Sequence, residues 1–157
     1  LSIEFPSVYI NEIDKVEAVE QALGVAVVSM HQPDARAWQM VCEIGSQAEI
    51  EACTPDFVAL VEATALGVAI TASGDTSDFV SRFFIPQLGI NEDPVTGSAH
   101  CQLIPYWAEK LGKKRLTARQ LSSRGGDLKC ELEGDRVHLF GHCVLFAEGV
   151  LHLSQTY

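Results

Sequence analysis

One apolar segment limits what this chain can fold into more than any other feature. Residues 98–111 read SAHCQLIPYWAEKL, and apolar side chains would lie on nearly every side of a helix with this sequence. A helix without a wide polar face has to be buried on all sides. Pro105 lies inside the segment, lacks a backbone N–H, and should bend the helix. A chain of 157 residues is most simply one domain, spanning residues 1–157 and built around this helix.

Two further helices are predicted in the first half of the chain. Residues 15–23 follow a capping-box pattern of Asp14 and Glu17, and Gly24 suits the end of a helix. A second helix starts at TPDFVALVEATALG, where the residues suit an N-terminus. Thr54 is predicted to cap this helix, Pro55 to lie in its first turn and Asp56 to complement the helix dipole. An apolar stripe follows, formed by Phe57, Leu60, Val61 and Ala65.

Strand patterns account for most of the remaining chain. Residues 1–10 are interrupted by Pro6 and indicate an edge strand or a crossing segment. The other predicted strands are 25–31, 36–44, 68–73, 79–85 and an antiparallel meander of 116–122, 127–133, 136–141 and 143–153. This order predicts the α+β class, with a mostly antiparallel sheet curled around the buried helix. Periodicity alone leaves the strand order open.

Composition excludes several classes of function. The formal charge is −10, from 21 acidic against 11 basic residues, which argues against a nucleic-acid partner. The basic run 113–115 is short and indicates a solvated surface. No apolar run is long enough to cross a membrane, and no secretory signal pattern is visible. The five cysteines form no CxxC pair and predict buried thiols in the cytoplasm: Cys42, Cys53, Cys101, Cys130 and Cys143.

The richest chemistry lies in residues 90–101, INEDPVTGSAHC. Asp93 precedes a proline, so its backbone is extended and its side chain can project from a loop. Thr96, Gly97 and Ser98 stand where the buried helix begins, and the unpaired N–H groups there attract anions. The segment is predicted to be at once a helix cap and a corner that binds a carboxylate or phosphate, with Asp93 for proton transfer; a plain helix cap is the alternative.

Other candidate residues have plain structural alternatives. His100 and Cys101 lie on the apolar helix and are expected to be a core histidine with satisfied hydrogen bonds and an unreactive thiol. Arg124 precedes Gly125 and could reach an anion at the helix start, although a hairpin turn explains the glycines equally.

No metal site is expected. His138, His142 and Cys143 lack the spacing of a zinc site, and no Ser-His-Asp order is readable.

Several long stretches resemble the PhzF-like (phenazine biosynthesis-like) family. They are FVSRFFIPQLGINED, DPVTGSAHCQLIPYWAEKLGK and ARQLSSRGGDLKCELEGDRVHLFG, with TPDFVAL earlier. The resemblance covers nearly the whole chain and matches the C-terminal half of the family. It implies the diaminopimelate-epimerase-like fold, in which each of two similar halves wraps a sheet around a central helix. The active site would lie between the halves.

The same resemblance implies roles for residues of the motif. It implies a cofactor-free isomerase that moves a proton and a double bond, so no cofactor is expected. Asp93 resembles the C-terminal acid that contacts substrate, and Gly97 and Ser98 resemble residues that hold it. Cys101 does not match a catalytic cysteine of the epimerases.

The chain departs from the family pattern in one respect. The family's principal acid/base is a glutamate in an Asn-x-Ser-Glu-Thr-type segment of the N-terminal half, accompanied by a Gly-His motif, and neither occurs here. The corresponding stretch 65–73 has no carboxylate. The chain is therefore expected to be the C-terminal half of an isomerase that acts on a small carboxylic acid. The alternative is a non-catalytic half-domain that homodimerises and binds small anions.

Overall fold

A computed structural model describes residues 1–33, 38–142 and 144–150. These residues contain four α-helices, one short 3-10 helix (Pro86–Leu88) and ten strands. The helices are α1 (Glu17–Leu23), α2 (Gln47–Ala52), α3 (Phe57–Ala63) and α4 (Gly97–Leu111). The strands are β1 (Ser2–Pro6), β2 (Asn11–Ile13), β3 (Val27–Gln32), β4 (Gln39–Ile44), β5 (Gly67–Ser73), β6 (Phe79–Ile85), β7 (Ile90–Glu92), β8 (Arg115–Gln120), β9 (Gly126–Glu133) and β10 (Arg136–Phe140).

All ten strands belong to one sheet. Its order is β1-β10-β9-β8-β6-β5-β4-β3-β2, and β7 pairs with β6 beside this path. Neighbours are antiparallel except β4 with β5 and β6 with β8. Parallel neighbours need a long crossover connection. Helices supply it in both cases, since α2 and α3 join β4 to β5, and α4 lies between β6 and β8 in the chain.

The sheet separates two hydrophobic clusters, because successive side chains of a strand point to opposite faces. In β4, Met40 and Cys42 pack with α1, α2 and α3, whereas Val41 packs with α4. Strands β8, β9 and β10 bury only the face toward α4. Helix α4 contacts β4 on one side and β8, β9 and β10 on the other. The predicted α+β fold, with a mostly antiparallel sheet around a buried helix, is confirmed.

The central helix is continuous through Pro105. A proline has no N–H to donate, so the carbonyl of Cys101, four residues earlier, loses its helical partner. The backbone N–H of Val8, in the segment between β1 and β2, donates to that carbonyl at 2.9 Å. Farther along, the indole of Trp107 is buried and donates from Nε1 to Thr71 Oγ1 at 2.9 Å. The helix is therefore bonded to the sheet as well as packed against it.

Two predicted helix starts are wrong. α1 begins at Glu17 after Val16, and no side chain caps it, so the capping box with Asp14 does not form. Its predicted end is right, since Gly24 adopts a left-handed conformation with φ of 67°. In α3 the cap is Asp56 rather than Thr54, because the Asp56 carboxylate accepts bonds from two first-turn N–H groups.

The predicted apolar stripe of α3 is also only partly right. Of its four residues only Leu60 is buried in the core, and Val61 is 45% exposed. Helix α2, which is capped by Ser46, was not predicted from the sequence.

The predicted strands occur apart from the last one, β6 with its predicted ends and the others with shifted ends. The segment 1–10 does form an edge strand, β1, which ends at Pro6. Residues 144–150 form no strand and are exposed, so a strand over 143–153 is wrong in its described part. Cys143, residues 151–153 and the start of the predicted strand 36–44 lie outside the described residues. The short strands β2 and β7 were not predicted.

Candidate active site

The motif loop is held at the start of α4 by an interaction between its acid and its threonine. The backbone N–H of Asp93 donates to Phe83 O at 3.0 Å, which fixes the loop to β6. The hydroxyl of Thr96 donates to Asp93 Oδ2 at 2.5 Å. Thr96 occupies the cap position of α4, but no side chain caps this helix. The reading of Thr96 as an ordinary helix cap is therefore wrong, because its oxygen is directed to the carboxylate.

The uncapped start of α4 leaves backbone donors free within the described part of the chain. The bonds of the helix begin with His100 N–H, which donates to Thr96 O at 3.4 Å. The N–H groups of Gly97 and Ser98 have no acceptor among the described residues. Unpaired first-turn amides and the helix dipole favour a bound anion. A carboxylate ligand at this point would lie near the Asp93 side chain.

Gln120, at the end of β8, holds the loop from behind. It is fully buried. Its Nε2 donates to Asp93 O at 2.7 Å and to Thr96 Oγ1 at 3.1 Å, and its Oε1 accepts from Thr96 N–H at 2.8 Å. Both ends of the amide are therefore used, and they fix the backbone on either side of Pro94. This residue was not predicted from the sequence.

The turn after β8 is joined to the same loop. Ser122 Oγ donates to Pro94 O at 2.7 Å and accepts from Gly125 N–H at 3.1 Å. Gly125 has φ of 68°, which favours glycine. At Gly126 a Cβ atom would lie 2.4 Å from Val95 Cγ2, so only glycine lets the turn approach the loop this closely. The structure thus brings Gly125 next to the motif.

Arg124 is not brought into the corner by any contact. It lies exposed on this turn and forms no ion pair or hydrogen bond with the described residues. Its predicted role in binding an anion stays a prediction.

His100 and Cys101 follow the corner on α4. His100 is fully buried, and its Nδ1 is 2.7 Å from Thr96 O, so Nδ1 carries the proton and Nε2 has no partner in the described chain. Burial lowers the pKa of His100 below its ordinary value, against the opposing effect of the bond to Thr96. Burial raises the pKa of the Cys101 thiol. Cys101 fits its predicted role as an unreactive thiol. His100 is a core histidine as predicted, but the prediction that its imidazole is satisfied is wrong, because Nε2 has no partner in the described chain.

Ser98 is linked to the sheet through Gln39 of β4. Gln39 is fully buried, and its Nε2 donates to Ser98 O at 3.1 Å. A signal for Gln120 was present in the sequence. In β8, Leu116, Ala118 and Gln120 alternate on the inward face, so a polar residue occupies a core position. A polar residue at a core position needs a bonding partner or a function.

The part of the chain described by the structure contains no cluster of three His, Cys, Asp or Glu residues placed to hold a metal ion. His138 is 3.4 Å from a Glu133 oxygen, and Cys143 lies outside the described residues. None of the described helices has both the length and the apolar character needed to span a membrane.

Comparison with known proteins identifies the family of the chain. The family model of the phenazine biosynthesis-like proteins (PhzC-PhzF) matches residues 3–149 of the sequence. Two Pseudomonas aeruginosa proteins, each named an uncharacterized isomerase, are 48% and 40% identical to the chain. Each alignment covers 98% of this chain and 58% of the relative.

A crystal structure of a PhzF-family protein from Enterococcus faecalis aligns with a TM-score of 0.85 at 42% identity. The alignment covers 97% of this chain and 57% of that one. A putative PhzC/PhzF protein from Clostridium difficile aligns with a TM-score of 0.82 at 38% identity, again over 97% of this chain and 57% of that one. The chain therefore spans less than two thirds of the length of these relatives. It belongs to the phenazine biosynthesis-like (PhzC-PhzF) family.

Proposed function

We propose that this chain contributes the Asp93–Ser98 part of the active site of an isomerase that shifts a proton and a double bond in a small carboxylic acid, without a cofactor. The observation that carries the proposal is the bond from Thr96 to Asp93, which leaves α4 uncapped beside a positioned acid. The isomerase names of two relatives support the reaction class. Cytoplasmic localisation remains part of the proposal.

Each residue of the motif has a separate task in this reaction. The N–H groups of Gly97 and Ser98 bind the substrate carboxylate, and the positive end of the α4 dipole stabilises the charge that forms when a neighbouring C–H bond breaks. Asp93 exchanges a proton with the substrate carbon as acid or base. Thr96 orients the Asp93 carboxylate. Gly125 shapes the adjoining turn, and Arg124 supplies positive charge to the bound anion.

A proton shift needs a group that removes the proton and a group that returns it. Within the described residues, Thr96 is the only side chain bonded to the Asp93 carboxylate, and no second acid is bonded to the corner. We propose that the second group comes from outside the described residues of this one chain, either from a complementary N-terminal half or from a second copy of the chain.

Deuterium exchange tests the chemistry. The chain is incubated in D2O with a dihydroaromatic carboxylic acid, and uptake at carbon is followed by NMR at several protein concentrations. A site completed by a second copy gives a rate that rises more steeply than protein concentration. The full-length Pseudomonas aeruginosa relative that is 48% identical to the chain serves as the reference for a complete site.

The decisive variant is Asp93→Asn, which keeps the size of the side chain and removes the acid. Loss of a positioned acid or base should lower the exchange rate about 100-fold or more. Asp75→Asn, at an exposed turn acid, is the matched control and should exchange at the original rate. Equal rates for Asp93→Asn and the unaltered chain would refute the assignment.

A second candidate function is favoured by the exposed segment after β10. Val144, Leu145, Phe146 and Val150 are each more than four fifths exposed, at 92%, 82%, 98% and 84%. Apolar residues exposed together mark surfaces that associate with a partner. In this alternative the chain forms a homodimer that binds small anions without catalysis. Sedimentation that shows only monomer would exclude this alternative. Binding of benzoate, a small anion, that persists in Asp93→Asn while no deuterium exchange occurs would favour it.

A further inference from the structure

The residue that ends β7 is held by an arginine of the neighbouring strand. Arg82 lies in β6, and Glu92 ends β7 immediately before Asp93. The guanidinium donates from Nε to Glu92 Oε1 at 2.7 Å and from Nη2 to Glu92 Oε2 at 2.9 Å. Two parallel bonds of this kind fix the direction of a carboxylate as well as its distance. The side chains of Arg82 and Glu92 are 14% and 19% exposed, so the pair is largely shielded from solvent.

The same guanidinium is also bonded to the end of α2. Its Nη1 donates to Ile50 O at 3.1 Å and to Cys53 O at 2.6 Å. Both carbonyls lie at the C-terminal end of that helix, where the helix dipole favours a cation. Arg82 is therefore held in place independently of Glu92 and gives β7 a fixed point of attachment.

Strand β7 needs such an attachment because its pairing is short and irregular. It has three residues, and the register pairs Glu92 with Phe84 and Ile90 with Ile85, which leaves Asn91 as an extra residue. A bulge of this kind bends a strand and redirects side chains near it. A slip of one residue in the pairing would turn each side chain to the opposite face of the sheet.

The register of β7 decides which acid reaches the motif corner. Glu92 bonds to the arginine beside α2, whereas Asp93 Oδ2 accepts from Thr96 at the start of α4. Successive residues of an extended chain point to opposite faces, so the placement of Glu92 determines the placement of Asp93. A slip of one residue would exchange the two acids between the faces.

We propose that Arg82 and Glu92 are a positioning pair, which sets the register of β7 and thereby holds the Asp93 carboxyl group at the start of α4. The inference rests on the proposed function only for the reaction that Asp93 performs there. Neither Arg82 nor Glu92 touches the substrate, and no proton transfer is assigned to them.

Glu92→Gln tests the pair, because it removes the charge and nearly preserves the shape of the side chain. The backbone N–H of Asp93 donates to Phe83 O at 3.0 Å, so its exchange with solvent, followed by NMR, reports the register directly. After correction for the change in stability measured by urea unfolding, this amide should exchange about 5- to 10-fold faster, as expected for the loss of one net hydrogen bond.

The reaction and the binding of an anion should respond differently to the same substitution. The rate of deuterium uptake into the substrate should fall about 10- to 100-fold, because a small displacement of the Asp93 carboxyl group is enough for such a loss. Benzoate binding should keep its affinity within about twofold, because the anion is bound by the backbone N–H groups of α4. A variant that is merely less stable but still folded would change neither measurement.

Two further variants complete the test. Glu131→Gln is the matched control, because it breaks the ion pair with Arg115 at directly opposite positions of β8 and β9, and it should leave all three measurements unchanged. Arg82→Lys keeps the positive charge and loses the two-bond geometry, so it should change the three measurements in the same direction as Glu92→Gln. If Glu92→Gln does not fold, Arg82→Lys decides the question.

The outcomes separate this inference from the proposed function. A folded Glu92→Gln or Arg82→Lys chain whose Asp93 amide exchanges at the original rate overturns the positioning pair. Benzoate affinity that falls in proportion to the reaction rate also overturns it, since the whole corner would then be damaged. A chain that shows the faster Asp93 amide exchange, but no deuterium uptake into substrate with or without the substitution, would retain the positioning pair and lose the isomerase assignment.

Discussion

Replacing Gln120 with methionine should destabilise the chain far more than the same replacement at another buried glutamine. Gln120 makes three bonds to the motif loop, at 2.7, 3.1 and 2.8 Å. Each bond contributes about 1 kcal/mol net, so Gln120→Met should lower the free energy of unfolding by about 3 kcal/mol. The loss is large because Thr96, whose N–H is left without an acceptor, is only 6% exposed.

Gln102→Met is the matched control for this prediction. Gln102 is also buried, but its oxygen accepts no bond in the described chain, so its replacement should leave the free energy of unfolding unchanged or raise it. Urea unfolding at equilibrium measures both variants. With a slope of about 2 kcal/mol per molar, Gln120→Met should shift the midpoint by about 1.5 M.

Hydrogen exchange gives a local readout of the same substitution. The Thr96 amide should be protected in the unaltered chain and should exchange faster in Gln120→Met than the global loss of stability alone explains. Free energies of unfolding for Gln120→Met and Gln102→Met that agree within about 1 kcal/mol would refute the role of Gln120 in holding the loop.

Three further predictions concern residues outside that comparison. Burial lowers the pKa of His100, so as pH falls below 6.5 the unfolded chain gains a proton that the folded chain does not. This residue should therefore lower the free energy of unfolding by about 1.4 kcal/mol per pH unit between 6.5 and its depressed pKa, and NMR of its ring protons should show no titration near 6.5. Asp56→Ala should cost about 1 kcal/mol by urea unfolding because two bonds at 3.0 Å are lost, whereas Thr54→Ala should change stability by less than about 0.5 kcal/mol. Gly126→Ala places a Cβ atom 2.4 Å from Val95 and should cost about 1–3 kcal/mol, and a thermal midpoint equal to that of the unaltered chain would contradict the close contact.

Local patterns in the sequence were sufficient for the main elements. The apolar segment 98–111 predicted α4 to within one residue, and β6 was predicted with its observed ends. These predictions succeed because burial on every side leaves a composition that no exposed helix has, and because aromatic and β-branched residues favour strands. Helix starts were less predictable, since Thr54 and Asp56 are both good caps and only the final geometry shows which one bonds.

The candidate site shows the same division. The motif indicated an anion-binding corner, but its hydroxyl could equally have capped the helix. Only the folded chain shows that the Thr96 hydroxyl bonds the Asp93 carboxylate, because that carboxylate and the first-turn N–H groups compete for the hydroxyl within one turn. Gln120 and Gln39 lie 27 and 59 residues from their partners Asp93 and Ser98, so sequence spacing carries no record of either bond.

By itself, then, the sequence determined the fold class, the buried helix and the segment that carries the chemistry, because all three follow from which residue types stand next to one another. The tertiary structure decided the strand order, the two parallel joins and the partners of the motif. Those depend on crossovers and on hydrogen bonds between distant residues, which are set by how helices and sheet pack rather than by local preference. The carbonyl of Cys101 illustrates the difference: Pro105 predicts that it loses its helical partner, and only the folded chain shows that Val8 replaces it.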